Sequence, residues 1–349
     1  MVVVARGRAE RPPIGIRGRP PLSSLQIGVA LWALLFLWVP KTAGAGDDQV
    51  TLTRRYRNGQ KMVYTTTMHT NAVVHSDPPE LQSFLPPLPT NFTMHQQNTV
   101  TVKRVNSDGS ADVENHFDKF EFQSDLADRT PDNFRDSAVN AQQEISEHVA
   151  GQDIVAHYDR HGRLLGFEGG EGLFSQLDMA YREPLRQALR FFLEQMGGDT
   201  LFPGYPVKPG DTWKRKLDSS ATAAYPYDVE GENTLRFVGK TKIGSVDAAV
   251  VEFSFVNVVR PASKSLGATE PLSQLASHGL GVNMHIDGQG QGRVLLALDD
   301  GRVLENHATM HQKLSAHLDN STPLPYTKSQ TMKLEVQSDS QMDVVGAGQ

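Results

Sequence analysis

Three glycines at alternate positions, Gly288, Gly290 and Gly292, stand just before the apolar run "VLLAL". They raise the first chemical question, because a Gly-x-Gly string can cradle a phosphate. A dinucleotide fingerprint needs its glycines to end a strand, turn, and open a helix whose N-terminus faces the pyrophosphate. Here "RVLLALDDGR" follows, which continues a strand into an Asp-Gly turn, and the later third glycine of the fingerprint is missing. Phosphate binding is therefore set aside. In a strand, Met284, Ile286, Gly288, Gly290, Gly292, Val294, Leu296 and Leu298 share one face, apolar with three bare positions at its centre. Repeated glycine on one face costs stability, so it needs curvature, close approach of another element, or room for a ligand. Curvature around a packed helix is the expectation, and Gly288, Gly290 and Gly292 are candidate ligand-binding positions.

Histidine is the other residue type that invites chemistry. His307, His311 and His317 have like parity on one strand. Residues four apart on a strand are ~13 Å apart, too far to share one zinc at ~2.1 Å per ligand. They read as a solvent face, and no metal site is expected. His157 and His161 flank a turn and read the same way. The sequence holds no Gly-x-Ser-x-Gly, His-Glu-x-x-His or Gly-x-x-x-x-Gly-Lys motif. No cofactor is implied, and a non-enzymatic protein is expected. With no cysteine in 349 residues, thiolate metal sites and disulfides are excluded, and the core must hold the fold by itself.

The N-terminus reads as an export signal. Arg6, Arg8, Arg11, Arg17 and Arg19 precede an apolar run from Leu25 to Val39, and Ala43-Gly44-Ala45 is an A-x-A cleavage site. The run is shorter than the ~20 residues of a spanning helix, so cleavage after Ala45 is expected and no stable membrane span after it. The formal charge of the whole chain is −6, and loss of the basic leader makes the remainder more acidic. Such a surface repels phosphate backbones, so no nucleic-acid partner is expected. An exported protein of the periplasm or cell envelope follows.

Over most of the remaining chain apolar residues alternate with polar ones between short turns, the pattern of antiparallel strands. Hairpins are predicted at Asn58-Gly59, Asp108-Gly109 and Gly244. One segment has helical spacing instead: Phe174, Leu177, Tyr181, Leu185, Leu189, Phe192 and Met196, ended by Gly197-Gly198. The strands on either side of it resemble each other. An offset of 139 sets "GQDIVAHYDRHGRLLG" on "GQGRVLLALDDGRVLE", and offsets of 135 and 151 match Gly109 to Gly244 and Gly59 to Gly210. The resulting plan is a signal peptide over 1–45, a first β unit over 46–172, a central amphipathic helix over 173–198, a second β unit over 199–337, and a polar, flexible tail over 338–349.

Two proline-rich or irregular stretches, 76–91 and 260–281, leave the sheet and are expected to cover one rim. In the first, Phe84, Leu85 and Leu88 form an apolar cluster and are the remaining ligand-binding candidates. "PVKPGDTW" reads as a linker opening the second unit, with Trp213 as anchor.

The leader, "NGQKMVY", "PVKPGDTW" and a Gly-x-Gly strand running into "DDGRVL" together resemble an uncharacterised family of exported bacterial β-rich proteins. That family is distantly similar to the lipoprotein-carrier-like half-barrels. The resemblance spans roughly residues 50–336. It implies a curved antiparallel sheet wrapped around helices, with a lipid-type ligand, and it transfers no functional residue. The fold expected is mainly β (α+β): a strongly curved, half-barrel-like antiparallel sheet, possible as two tandem repeats, with one long amphipathic helix in its concavity. The function expected is binding of a lipid-like or other apolar molecule; the alternative is a structural or assembly protein with a self-filled core.

Overall fold

Along Lys61–Asp77, side chains alternate between buried and exposed from Met62 to Ala72, the signature of a strand with one face on a core and the other in water. A computed structural model describes residues 49–79, 90–129, 132–172, 186, 189–190, 193–194, 196–198, 200–218, 227–261, 280–320 and 331–348. The leader and the cluster Phe84, Leu85 and Leu88 lie outside the described residues. Eleven strands form one antiparallel sheet: β1 (Lys61–Asp77), β2 (Asn91–Val105), β3 (Ala111–Ser124), β4 (Asp153–Tyr158), β5 (Leu164–Gly169), β6 (Thr212–Asp218), β7 (Tyr227–Ile243), β8 (Val246–Pro261), β9 (Leu280–Ala297), β10 (Val303–Asn320) and β11 (Thr331–Gly348).

Their order is β5-β4-β3-β2-β1-β11-β10-β9-β8-β7-β6. The first and last strands pair at the centre, over Met62 opposite Gly348 to Asp77 opposite Lys333. Both halves of the chain therefore belong to one sheet, and its edges are β5 and β6, which are consecutive in sequence. The sheet is curved but not closed. One buried cluster joins Met68 and Met94 of β1 and β2 to Trp213, Leu235, Phe237 and Phe255 from the far side. The chain between the edges contributes Leu201, Phe202 and Val207 to that cluster, and Leu189 and Leu193 to a second one with Ile154, Ala156, Tyr158 and Leu164. Burying each leucine removes apolar surface worth roughly 1.5–3 kcal/mol from water.

Three expectations need correction, and a fourth falls mostly outside the described residues. The tail from Ser338 is not frayed: it is part of β11, paired with β1 to Gly348 and with β10 to Val345, and outward Asp339, Gln341 and Asp343 alternate with inward Ser340, Met342 and Val344. No hairpin forms at Asn58-Gly59. The stretch 51–57 has no strand geometry and crosses the rim, buried by Leu52 and Tyr56 and tied by Arg55 N–H to the Asp300 carbonyl. The segment 132–149 is a helix, α1 (Asp132–Val149), in what was read as part of a β unit. The amphipathic helix of 173–198 is described at residues 186, 189–190, 193–194 and 196–197, with Gly198 at φ 82 as its left-handed cap. Its described leucines face β4 and β5, away from the glycines of β9. Phe174, Leu177, Tyr181, Leu185 and Phe192 lie outside the described residues, so a long helix is not shown.

Since every pairing is antiparallel, strand ends alternate between two rims. Tight turns occupy one rim: Asn106–Ser110, Asp159–Arg163, Gly244 and Asp299–Arg302. At the other rim β1, β3, β6, β8 and β10 end and β2, β4, β7, β9 and β11 begin. The connections 78–90, 125–152, 219–226, 262–279 and 321–330 all leave from there, so the stretches 76–91 and 260–281 do start from a common rim.

Candidate functional site

The glycine run forms a strand, β9, and its hollow is filled. Gly288, Gly290 and Gly292 lie opposite Asn257, Phe255 and Phe253 of β8. A Cβ on Gly290 would run into the Phe255 ring and come within 2.6 Å of the Thr309 carbonyl oxygen; one on Gly288 would run into Asn257 Oδ1. Close approach of neighbouring atoms explains Gly288 and Gly290. Phe255 and Asn257 occupy the space beside Gly290 and Gly288. Phe255 is 3% exposed, so the aromatic ring gains full burial by lying over a residue with no side chain.

A chamber of about 90 Å³ with polar groups set among apolar ones lies inside the sheet near the tight-turn rim. Tyr64 from β1, Asn98 from β2, Asn115 from β3, Tyr158 from β4 and Asn306 from β10 project into it, with Arg54 and Tyr56 from the segment that crosses the rim. The alternation of each strand puts these polar residues in inward positions otherwise held by apolar ones. Tyr64 OH donates to the Val303 carbonyl at 3.3 Å and Tyr158 OH to the Leu193 carbonyl at 2.8 Å. The rings of Tyr56 and Tyr158 stack with centroids 5.9 Å apart, and the Arg54 guanidinium sits 4.9 Å from the Tyr56 centroid. Burial pushes the Tyr56 hydroxyl up to about 12, against the opposing pull of Arg54, and raises Tyr64 and Tyr158 as well. Among the described residues, Arg54 Nε and Nη1, Tyr56 OH, Asn98 Nδ2, Asn115 Oδ1 and Asn306 Oδ1 are buried without a hydrogen-bond partner.

The opposite face of the sheet is polar. A broad hollow of about 770 Å³ crosses it, lined by His69, Gln289, Gln291, Thr309, His311 and Gln341 among others. His307 and His311 stand directly across from Asp343 and Asp339 in the β10–β11 register and pair with them. The same arrangement recurs at β3–β4, where His157 faces Asp112 and His116 faces Asp153, each at 2.8 Å. The hydrogen bond from His157, helped by Arg104, holds the Asp112 carboxyl below the ordinary range. No group of three or more His, Asp or Glu among the described residues is placed to hold a metal ion.

No protein-family model matches the sequence, and no curated protein matches it either. Among solved structures, the outer membrane protein OprG from Pseudomonas aeruginosa is similar at 6% identity and a TM-score of 0.22, over 84% of this chain and 98% of that one. An acetoacetate decarboxylase from Legionella pneumophila is similar at 11% identity and a TM-score of 0.07, over 88% and 90%. Likenesses this loose carry no argument for fold or activity. The outward positions of β10 and β11 are mostly polar: Glu305, His307, Thr309, His311 and Lys313 on β10, and Glu335, Gln337, Asp339, Gln341 and Asp343 on β11, with Val345 exposed beside them. Strands that face lipid carry the reverse pattern, apolar outward. No helix among the described residues is long and apolar enough to cross a membrane.

Sequence reasoning placed the histidines on the solvent face but missed their aspartate partners, which lie far away in the chain. It missed the chamber for the same reason, since its residues come from five strands and the segment that crosses the rim. Trp213, 5% exposed, anchors the start of β6, and Gly210 at φ 96 makes the turn before it.

Proposed function

We propose that this is an exported cell-envelope protein that binds an apolar, lipid-like molecule and carries out no chemistry on it. The observation that carries the reading is the asymmetry of the rims. Five long connections leave one rim, where functional loops are commonly mounted on a rigid sheet. Toward the same rim the inward positions of β1, β10 and β11 form a wall of small and branched residues, Ala72, Ala316, Leu334 and Val336. The connection 78–90, which joins β1 to β2 at that rim, carries Phe84, Leu85 and Leu88 in its sequence. The basic, apolar and small-residue leader supports export to the periplasm or envelope. The three glycine pairs Gly59/Gly210, Gly109/Gly244 and Gly162/Gly301, all with positive φ, support a tandem origin of the β units.

A structural or assembly role is the second reading, and the filling of the glycine hollow by Phe255 favours it, since a self-filled core needs no ligand. Native mass spectrometry of the leader-free chain, purified without detergent, separates the two. The carrier reading expects an added mass that extracts into organic solvent and is lost when Phe84, Leu85 and Leu88 are replaced by serine. A bare monomer mass from every preparation, or discrete oligomers without added mass, sinks it.

A further inference from the structure

We propose that the chamber around Arg54 is a binding site for a small carboxylate, independent of any apolar ligand at the far rim. Guanidinium N–H groups taken out of water need acceptors. Arg54 has none for Nε and Nη1 among the described residues. The carboxylates nearby are engaged elsewhere. Asp300, fully buried, takes hydrogen bonds from Arg302 Nη1 and Gln60 Nε2, each at 2.5 Å. Glu194 pairs with Arg190 at 3.0 Å, and Asp159 accepts the backbone N–H groups of His161 and Arg163. Among the described residues, Arg54 thus lines the chamber with Nε and Nη1 unpaired and no carboxylate bonded to either.

Around that cation stand hydrogen-bonding groups with nothing to bond. Asn98 and Asn115 are 1% exposed, and Tyr56 and Asn306 are 9% exposed, yet Tyr56 OH and one amide atom of each asparagine lack partners. Leaving such groups unmade costs roughly 1–3 kcal/mol each. Four of them facing one cavity wall mark a site for a polar guest. The asparagine amides present either oxygen or nitrogen according to their orientation, so they serve a carboxylate oxygen or a neighbouring hydroxyl equally. Burial keeps Tyr56 protonated, and hence a donor, throughout the neutral range. A volume of about 90 Å³ suits a guest of a few heavy atoms, and the stacked Tyr56 and Tyr158 rings give it an apolar wall. Acetate and lactate fit this description; a nucleotide or a sugar does not.

The test titrates the full protein with acetate, with lactate and with inorganic phosphate at constant ionic strength, read by calorimetry and by fluorescence of the chamber tyrosines. The expected result is saturable binding of at least one carboxylate at millimolar concentration or below, weakened about tenfold or more by Arg54→Gln, as loss of a charge-assisted contact requires. Because Arg54 lies against Tyr56, Asn306→Leu serves as a second variant that leaves the charge in place; it is expected to weaken the same carboxylate while the unfolding temperature is held. Binding of phosphate alone, binding unaltered in both folded variants, or no saturable binding of any of the three overturns the assignment, and a crystal structure soaked in lactate showing only ordered water in the chamber does so too.

Discussion

Phe255 of β8 lies across Gly290 of β9, so that one residue's missing side chain is the other's packing space. Gly290 does not hold a positive φ, so its role is steric. Gly290→Ala is expected to destabilise the fold by about 1–3 kcal/mol through overpacking. Adding Phe255→Ala to Gly290→Ala is expected to recover part of that loss, because the new methyl group then meets vacated space. Chemical denaturation of the four proteins in a double-mutant cycle measures the coupling, and strict additivity would refute the contact.

The central position of β11 gives a second prediction. Truncation before Ser338 removes the residues that pair with both β1 and β10, from Ala72 opposite Ser338 to Met62 opposite Gly348. The shortened chain is expected to lose its cooperative unfolding transition and to aggregate, since β1 and β10 would each expose an unpaired edge. Circular dichroism and size-exclusion chromatography check it. A soluble chain with unchanged melting would restore the flexible-tail reading.

Alkaline stability follows from Tyr56. Its hydroxyl ionises near 10 in the unfolded chain and near 12 in the folded one, so the folded state binds the proton more tightly. Stability is therefore fully present below pH ~10 and declines as pH rises through about 12, by as much as ~3 kcal/mol. Spectrophotometric titration of tyrosinate should show Tyr56, Tyr64 and Tyr158, three of the eight tyrosines, ionising late and together with unfolding. Tyr56→Phe should make the alkaline limb shallower.

At the acid end the cross-strand rungs act. Asp112 has its folded pKa lowered, chiefly by the hydrogen bond with His157, so its contribution is present above the ordinary carboxylate range and lost as pH falls through the folded value. The pair is only partly buried, and its loss in Asp112→Asn is expected to cost less than about 1 kcal/mol. Thermal melts across the acid range test this: the variant should differ from the parent at neutral pH and converge with it when both are acidified.

How much was legible beforehand depends on the reach of each signal. Alternation at period two marked most of the strands, because burial on one face of a strand is written into nearest-but-one neighbours. β11 escaped because its inward positions include Ser338 and Ser340, and a strand buried by pairing rather than by hydrophobicity has no apolar stripe to read. α1 escaped as well, although Ala138, Ala141, Ile145 and Val149 recur at helical spacing. Its acidic and amide-rich composition drowned that thin stripe.

The sequence by itself determined that the chain builds antiparallel strands, where its glycine turns fall, and that the Gly288 to Gly292 string is strand rather than phosphate loop. Each of these rests on interactions between residues a few positions apart. Only the tertiary structure decided that the first strand pairs with the last, that Phe255 fills the glycine hollow, and that Arg54 and Tyr56 meet Asn98, Asn115 and Asn306 in one chamber. Those contacts join residues tens to hundreds of positions apart, and they are fixed by which strand edges pair and by how the sheet curves, neither of which leaves a local trace in the order of amino acids.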